Sequence, residues 1–155
     1  MPKTSAGLLL YRRVDGALEV LLVHPGGPFW ARKDDGAWSV PKGEYEPGED
    51  PLGVARREFE EELGAIPPDG SIAPLGEIRQ SGGKIVTAWA QEGDLDVTDI
   101  RSNTFEMEWP PRSGRMQEFP EVDVAGWFSL DEAKSKLNRG QVPFLERLSG
   151  VVGEG

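Results

Sequence analysis

Hydrophobic and polar positions divide the chain into segments with the periods of strands and of helices. Apolar runs at 5–12 and 18–24 flank the tetrapeptide Val-Asp-Gly-Ala, and this combination predicts a β-hairpin. A glycine- and proline-rich loop at 25–36 follows, and the next stretch, AWSVPKG, is again strand-like. Three more extended segments are predicted later in the chain, at 72–80, 84–91 and 103–109.

The first predicted helix is marked by residues at both of its ends. Asp50 is a suitable N-cap with Pro51 at the first helical position, and Gly64 stands where a C-cap glycine belongs. Beyond the later strands, the stretch PPRSGRMQEFPEVD is predicted to be a long irregular loop. Long loops in compact domains are often functional, so this loop is a candidate part of a site.

The end of the chain is predicted to be helical. Ser129 and Glu132 have the spacing of a capping box, and Gly140 marks the expected end of that helix. A third helix is predicted at about 143–148. Strands, an inserted helix, further strands and final helices together predict an α/β fold with helices packed on a mixed sheet. The length of 155 residues predicts one domain over 1–155.

Composition and charge exclude several classes of protein. No apolar run approaches the length of a membrane span, and the first residues are typical of mature protein rather than of a signal peptide. The absence of cysteine removes disulfides and thiolate metal ligands, as is usual for a cytoplasmic protein. A net charge of −10 argues against binding to nucleic acid, because that affinity comes largely from Lys and Arg.

Acidic residues are concentrated in the stretch GEYEPGEDPLGVARREFEEELGA, at 43–65. On a helical wheel Glu58, Glu61 and Glu62 fall within a band of about 100°, beside the apolar stripe that contains Phe59, while Glu60 points away. Like charges at this spacing repel one another, so the arrangement favours a bound cation. Oxygen ligands without His or Cys indicate Mg²⁺ or Mn²⁺. For an isolated EFEEEL, the alternative of a solvated acidic surface would be preferred.

The wider stretch resembles the signature box of the Nudix hydrolases. Phe59 is bulkier and Ala65 smaller than the aliphatic residues usual at those positions, and both departures concern packing. The matching residues are Gly43, Glu49, Arg57, Glu58, Glu61, Glu62 and Gly64.

This resemblance implies an α/β/α sandwich and hydrolysis of a diphosphate linkage in a nucleoside diphosphate joined to another group. It implies that Glu58, Glu61 and Glu62 are ligands of Mg²⁺, with Mn²⁺ as a substitute, and that Glu58 and Glu61 act in catalysis. Arg57 is then expected to orient a carboxylate, either Glu61 or Glu49. Family members often take a further ligand or general base from a Glu shortly before a Trp, and here Glu121 precedes Trp127. Glu121 is therefore the first candidate for both roles, with Glu118 in reserve.

Substrate contacts are predicted from the loops around the box. Lys42 belongs to a Pro-Lys-Gly lead-in similar to that of dinucleoside polyphosphate hydrolases, so a dinucleoside polyphosphate is expected first and a nucleoside triphosphate next. Trp127 is assigned to the core, and a structural role is expected for His24. Basic loop residues able to close over a polyphosphate are Arg32, Lys33, Arg112 and Arg115, and the aromatic residues able to stack on a base are Trp30, Trp38 and Trp109.

Two functions from different classes remain open at this point. One is a Mg²⁺-dependent hydrolase acting on a small nucleoside polyphosphate. The other is a non-catalytic module that keeps the fold and binds nucleotide without turnover. A calcium-binding loop is disfavoured, because the alternating Asp and Asn ligands and the central glycine of such a loop are missing. Monomer and homodimer are equally compatible with the sequence.

Overall fold

The computed structural model of the protein describes residues 3–153. In this part of the chain eight strands and three helices follow one another, with 3₁₀ turns at Ser81–Gly83 and Arg139–Gln141. The strands are β1 (Thr4–Val14), β2 (Ala17–Pro25), β3 (Lys42–Glu44), β4 (Ile72–Arg79), β5 (Ile85–Glu92), β6 (Thr104–Glu108), β7 (Met116–Pro120) and β8 (Val122–Ser129). The helices are α1 (Pro51–Leu63), α2 (Leu130–Lys136) and α3 (Pro143–Val152).

Strand β1 lies at the centre of a mixed, six-stranded sheet. The strand order is β4-β5-β1-β2-β8, and β1 runs parallel to β5 and antiparallel to β2. Strand β3 pairs with the first residues of β1, where Ser5 lies opposite Glu44, whereas β2 pairs with the last residues, where Tyr11 lies opposite Val20. Strand β3 therefore brings the beginning of the acidic stretch to the middle of the sheet.

The two faces of the sheet are both covered, which explains the continuous apolar run in β1. Leu8 and Leu10 pack with Phe59 of α1 on one face, while Leu9 packs with Phe144 of α3 on the other. Successive side chains of a strand point to opposite faces, so three consecutive leucines are buried only in a sheet with helices on both sides. This arrangement confirms the predicted α/β/α sandwich. No helix within residues 3–153 has the length and apolar character needed to cross a membrane.

The local turn and cap predictions are confirmed. Asp15 and Gly16 join β1 to β2 with φ values of 52° and 82°, the left-handed pair that a two-residue hairpin turn requires. At the start of α1 the Asp50 carboxylate accepts a hydrogen bond from the Gly53 amide. At its end Gly64 has φ 72° and donates from its amide to a carbonyl of the last turn.

The prediction of a long irregular loop after Trp109 is wrong. Strand β7 lies within that stretch and pairs antiparallel with β6 in a separate two-stranded sheet, and Val122 already begins β8. Proline and glycine residues around this short strand hide its alternation in the sequence. The pairing rests instead on a contact across the hairpin, where Phe105 lies opposite Phe119 with ring centroids 6.0 Å apart.

The predicted end of the second helix is also wrong, by four positions. The capping box of Ser129 and Glu132 is present, but α2 ends at Lys136 rather than near Gly140. The chain leaves the helix because it pairs with the segment before β3. The Trp38 amide donates to the Lys136 carbonyl, and the Asn138 amide donates to the Trp38 carbonyl. The third helix begins as predicted at Pro143 and extends beyond the predicted end, to Val152.

Candidate active site

Strand β3, at the start of the loop that leads into α1, passes directly beneath an acidic side chain. A Cβ atom added to Gly43 would overlap the carboxyl group of Glu58, so only glycine allows Glu58 to lie across the strand at this point. Gly48, later in the same loop, has φ 96° and lets the chain turn back toward Asp50. The glycines of this segment therefore allow the loop and the helix to approach closely.

Arg57 stands among three carboxylates on the exposed edge of α1. Its guanidinium nitrogens lie 3.4 Å from Glu49 Oε2, 3.7 Å from Glu58 Oε2 and 3.9 Å from Glu61 Oε1. Both partners that the resemblance suggested for Arg57, Glu49 and Glu61, are thus within reach of one side chain. Since these pairs are partly exposed, their contribution lies in orientation more than in stability.

The carboxylates of Glu58 and Glu62 are held where negative charge is unfavourable. Burial, followed by the charge of Glu61 and a hydrogen bond to it, raises the pKa of Glu58 to about 7, and Arg57 acts in the opposite direction. Burial and the charge of Glu58 raise the pKa of Glu62 to about 8, although Lys42 opposes this. Such perturbed carboxylates are typical of functional sites.

Lys42 is a cation whose charge acts on Glu62. Burial lowers the pKa of the Lys42 ammonium, while the negative charge of Glu62 partly restores it. Both members of this pair are thus shifted toward their neutral forms, because the loss of water outweighs their mutual attraction. An additional positive charge beside Glu62 would lower the pKa of the carboxylates and favour their charged forms.

Glu121 reaches the same cluster from the other side of the site. It stands just before β8, where its amide donates to the Asn103 carbonyl and its carbonyl accepts from the Gly26 amide. The negative charge of Glu121 contributes to the raised pKa of both Glu58 and Glu62. Two backbone hydrogen bonds therefore place this carboxylate opposite the edge of α1.

A cavity of about 340 Å³ lies between this cluster and the α2 side of the sheet. Its floor is apolar and includes Val23 and Val40, while Trp30 and Trp38 contribute aromatic walls. The polar and charged residues that line it are Ser39, Lys42, Glu62, Gln80, Lys84, Glu121, Asn138 and Gln141. An apolar floor with converging polar groups is the usual form of a small-molecule site.

Comparison with known protein families gives a match to the NUDIX domain over residues 1–148. The chain belongs to the NUDIX family. A search of curated proteins found no match.

Solved structures with the same fold include several NUDIX proteins. The Ap4A hydrolase of C. elegans, in a binary complex, has 22% identity and a TM-score of 0.65 over 94% of this chain and 96% of its own. The NUDIX domain of Shewanella oneidensis NrtR, complexed with ADP ribose, has 18% identity and a TM-score of 0.66 over 97% and 88%. A mutT/nudix family protein from Listeria innocua has 19% identity and a TM-score of 0.64 over 98% and 95%. At these identities the likeness concerns the fold.

Within the NUDIX fold, Glu118 stands apart from Glu121. It lies on β7 directly opposite Glu106, on the face of the β6–β7 hairpin that is turned away from Phe105. Two carboxylates opposite each other on a strand pair repel, which indicates a solvated surface. The geometry therefore favours Glu121 over Glu118 as the carboxylate outside the box.

The predicted basic residues lie in different parts of the molecule. Arg112 and Arg115 are exposed in the turn that joins β6 to β7, and neither lines the cavity beside Lys42. Arg32 is exposed in the loop before the box. Lys33 of the same loop lies over two aromatic rings, with Nζ 3.8 Å from the centroid of Phe29 and 5.0 Å from that of Trp30.

The tryptophans differ in their surroundings. Trp38 is buried and lines the cavity, and its Nε1 donates to Asp34. Trp109 is half-buried at the end of β6. Trp127, assigned to the core, is half-buried against the cluster beneath α1, and its Nε1 donates to the Leu95 carbonyl.

His24 connects the loop before the box to β8. Its Nδ1 lies 2.8 Å from an Asp123 carboxylate oxygen and its Nε2 lies 2.6 Å from the Lys33 carbonyl. A carbonyl oxygen only accepts, so Nε2 carries a proton. The ring also contacts Trp38 edge-on, with centroids 5.2 Å apart. These contacts are structural in kind, as the sequence led us to expect for His24.

Sequence reasoning missed the polar residues on the far side of the cavity. Gln141 is fully buried, and its side chain accepts from the Val40 amide and donates to Ser39 Oγ. Gln80 Nε2 donates to Asn138 Oδ1 across 58 positions of sequence. These residues lie in connections far apart along the chain, so no local motif marks them.

The acidic cluster has the donor chemistry that Mg²⁺ prefers. Within residues 3–153 no three His, Cys, Asp or Glu side chains already form a metal cage. Arg57 lies 3.7 Å from Glu58 and 3.9 Å from Glu61, and these contacts keep both carboxylates on one edge of α1. The donors are all carboxylate oxygens, and their charge is poorly solvated in the absence of a cation. The residues present therefore fit a hard divalent ion.

Proposed function

We propose that this chain is a NUDIX hydrolase that uses Mg²⁺ to cleave a diphosphate linkage in a nucleoside or dinucleoside polyphosphate. The observation that carries the proposal is the convergence of α1 and β8 at one place. Carboxylates on the edge of α1 and Glu121 act on one another across a cavity that also contains Lys42. A phosphate chain in this cavity lies between a lysine and a set of carboxylates able to hold divalent ions.

In this proposal Glu58, Glu61 and Glu62 would hold the metal, and Glu121, directly before β8, would complete the set. Bound Mg²⁺ supplies positive charge for the phosphate oxygens and makes a coordinated water more acidic. Arg57 keeps Glu58 and Glu61 on one edge of the helix through its contacts at 3.7 and 3.9 Å. Lys42 pairs with a non-bridging phosphate oxygen, because it is a cation that lines the same cavity as Glu62 and Glu121.

In this proposal Glu121 also acts as the general base. Water attacks a phosphorus atom, the P–O bond of the anhydride breaks, and the proton of the water passes to a carboxylate. Glu121 is held by its backbone rather than by an ion pair with Arg57, so its carboxylate is free to accept that proton. Glu58 and Glu61, in contrast, share the contact with Arg57.

Support for a nucleotide substrate comes from the composition of the cavity. Trp30 and Trp38 offer aromatic surfaces beside Lys42 and Lys84, and this combination suits a base joined to phosphates. Two proteins of the same fold support a nucleotide as the class of substrate, since one is named an Ap4A hydrolase and another is complexed with ADP ribose. ADP ribose therefore belongs in the panel of compounds to be tested.

The proposal is tested by measuring product release from diadenosine tetraphosphate, ATP, 8-oxo-dGTP, ADP ribose and a nucleotide sugar, with Mg²⁺ and with EDTA. Glu61→Gln is expected to lower kcat by about 10²-fold or more, since it removes one charge from the metal site. Glu60→Gln is the matched control, because Glu60 is exposed and points away from the cluster. Its turnover is expected to stay within about twofold of wild type.

Saturable binding of a nucleotide without turnover of any compound would contradict the hydrolase. It would favour the non-catalytic binding module instead. Equal turnover in EDTA and in Mg²⁺ would contradict the metal requirement while leaving the hydrolase intact.

A further inference from the structure

A second compartment lies on the other side of Glu121 from the cavity that contains Lys42. It has a volume of about 390 Å³ and is formed between the loop after β2 and the β6–β7 hairpin. Its walls include Phe29 and Trp30 from the loop and Phe105 and Met107 from β6. We call this space the loop–hairpin compartment.

The walls of the loop–hairpin compartment are almost entirely apolar. Phe105 and Met107 are separated by two positions on β6, so both side chains project from the same face of the hairpin. Phe29 is 62% exposed, an unusual state for a phenylalanine beside a cavity. An exposed aromatic ring that borders a concave apolar surface is typical of a binding site.

Two glycines allow the loop after β2 to pack closely against the β6–β7 hairpin. A Cβ atom on Gly26 would overlap the Pro120 carbonyl, and one on Gly27 would lie 2.9 Å from the end of the Phe105 ring. Gly27 also has φ 92°, which favours glycine. The Gly-Gly pair thus lets the loop pack directly against the hairpin, so the compartment has a defined floor.

Both compartments meet at the reactive carboxylates. Pro25, Trp30 and Glu121 line the loop–hairpin compartment and also the cavity that contains Lys42 and Glu62. A molecule that extends from one to the other must pass Glu121. Lys33, over the rings of Phe29 and Trp30, adds a positive charge to the aromatic wall.

We propose that the loop–hairpin compartment binds the second nucleobase of a dinucleoside polyphosphate. This inference rests on the proposed function and names its substrate class. One base then lies in the cavity with Trp38, the phosphates pass Lys42 and Glu121, and the other base lies between Trp30 and Phe105. A nucleoside triphosphate has a single base and leaves one compartment empty, so the enzyme prefers the dinucleotide.

Binding is measured by calorimetry for diadenosine tetraphosphate and for ATP, with Ca²⁺ in place of Mg²⁺ and with chromatography to verify that the nucleotide stays intact. Phe105→Ala is expected to weaken the binding of diadenosine tetraphosphate by about 10-fold, as for loss of one base-stacking ring. Met107→Ala is expected to weaken it less, because it removes only an apolar contact. Neither variant is expected to weaken the binding of ATP by more than about twofold. The matched control is Met116→Ala on the same hairpin. Met116 lies opposite Glu108, on the face away from the compartment, and is 61% exposed.

Equal losses for both nucleotides, or no loss for either, would overturn the second base site. Wild-type binding of diadenosine tetraphosphate no tighter than ATP would overturn it as well. Phe105→Leu keeps an apolar contact with Gly27, so a selective loss in this variant separates the missing aromatic ring from a disordered hairpin. Turnover of the same two compounds in Mg²⁺ is the separate test of the hydrolase, so each proposal fails by its own measurement.

Discussion

The acidic edge of α1 and the loop–hairpin compartment are built in opposite ways. On α1, Glu58, Glu61 and Glu62 belong to a single helix, and the spacing of one short segment places them together. The compartment joins the loop after β2 to strand β6, about 75 positions later, and its shape depends on a close approach of glycine to a phenylalanine ring.

The difference separates the chemistry of the site from its selectivity. In the proposed function the carboxylates of α1 act only on the phosphate chain, so the same helix can serve many substrates. The walls that contact the rest of a substrate come from connections whose relative position is set by tertiary packing. Changes in α1 are therefore expected to affect turnover of every substrate, and changes in the walls to affect substrates unequally.

Among the changes that test this comparison, the largest effect is expected at Glu121, where the two regions meet. Glu121→Ala is predicted to lower kcat by about 10²-fold, because it removes the carboxylate proposed to accept the proton of the attacking water. Thermal unfolding is expected to change little, since the Glu121 side chain is exposed and its two backbone hydrogen bonds remain. Steady-state kinetics and calorimetry are the measurements.

Glu118→Ala is the control for this substitution, three positions away in the same segment. The solvated face that it shares with Glu106 predicts turnover within about twofold of wild type. If Glu118→Ala were the slower of the two variants, the assignment of the base would pass to Glu118.

A smaller effect on turnover is predicted for Gly43→Ala. The new methyl group would overlap the Glu58 carboxyl group, so Glu58 must leave its place above β3. Displacing one of the carboxylates proposed to hold the metal is expected to lower kcat/KM by about 10-fold for all substrates alike. Gly150→Ala is the control, because Gly150 lies in α3 with open space around it and the change should only improve helix propensity. An unequal loss among substrates would show that α1 contributes to selectivity after all.

The sequence sufficed for the architecture and for the acidic edge because both depend on short-range patterns. The turn at Asp15, the caps at Asp50 and Gly64 and the capping box at Ser129 are local, and all are present. The carboxylates of α1 follow from helical period alone.

The walls of the site could not be predicted in the same way. Strand β7 was hidden because its partner is β6 and its stabilising contact is Phe105 with Phe119, which no local pattern shows. Helix α2 is shorter than predicted, because its end is set by a distant pairing. Trp38, about 100 positions earlier, pairs with the chain at Lys136 and Asn138. Gln80 and Gln141 reach the cavity only through such pairings, so their part in it is a property of the fold.

A still smaller effect is expected for substitution of His24, the residue that connects the loop before the box to β8. His24→Phe keeps a buried ring but removes the hydrogen bonds to Asp123 and to the Lys33 carbonyl. The free energy of unfolding is expected to fall by about 1 kcal/mol, measured in urea, because these acceptors lose their partner. Selectivity between substrates should also change, since the loop contains Trp30 and Phe29. Unchanged selectivity would indicate that the loop keeps its position without this link.

His24→Asn is the companion variant, because its shorter side chain retains a donor for only one of the two acceptors. An intermediate loss of stability is expected. A larger loss than in His24→Phe would show that ring volume beside Trp38 matters more than the hydrogen bonds.

The smallest effect is predicted for Asp34, which holds the indole of Trp38 at the edge of the cavity. Hydrogen bonds from Lys136 and from Trp38 keep the pKa of Asp34 below its usual value of 3.8, and the nearby His24 acts in the same direction. A carboxyl whose pKa is lower in the folded state stabilises the fold above its unfolded pKa, and this stabilisation is lost as pH falls through the folded value. Asp34→Asn should therefore lower Tm slightly at pH 7 and low salt, and the difference from wild type should begin to shrink as pH falls below 3.8 and vanish below the lower pKa of the folded state. Asp35 also lies 3.4 Å from Lys136 and retains part of the pairing, which keeps the effect small.

The control is Asp131→Asn, whose pair with Lys134 is 3.9 Å long and highly exposed, so no shift in Tm is expected. A difference between Asp34→Asn and wild type that persisted at the lowest pH would mean that the amide disturbs Trp38 directly, and the wall of the cavity would then depend on shape at this position rather than on charge.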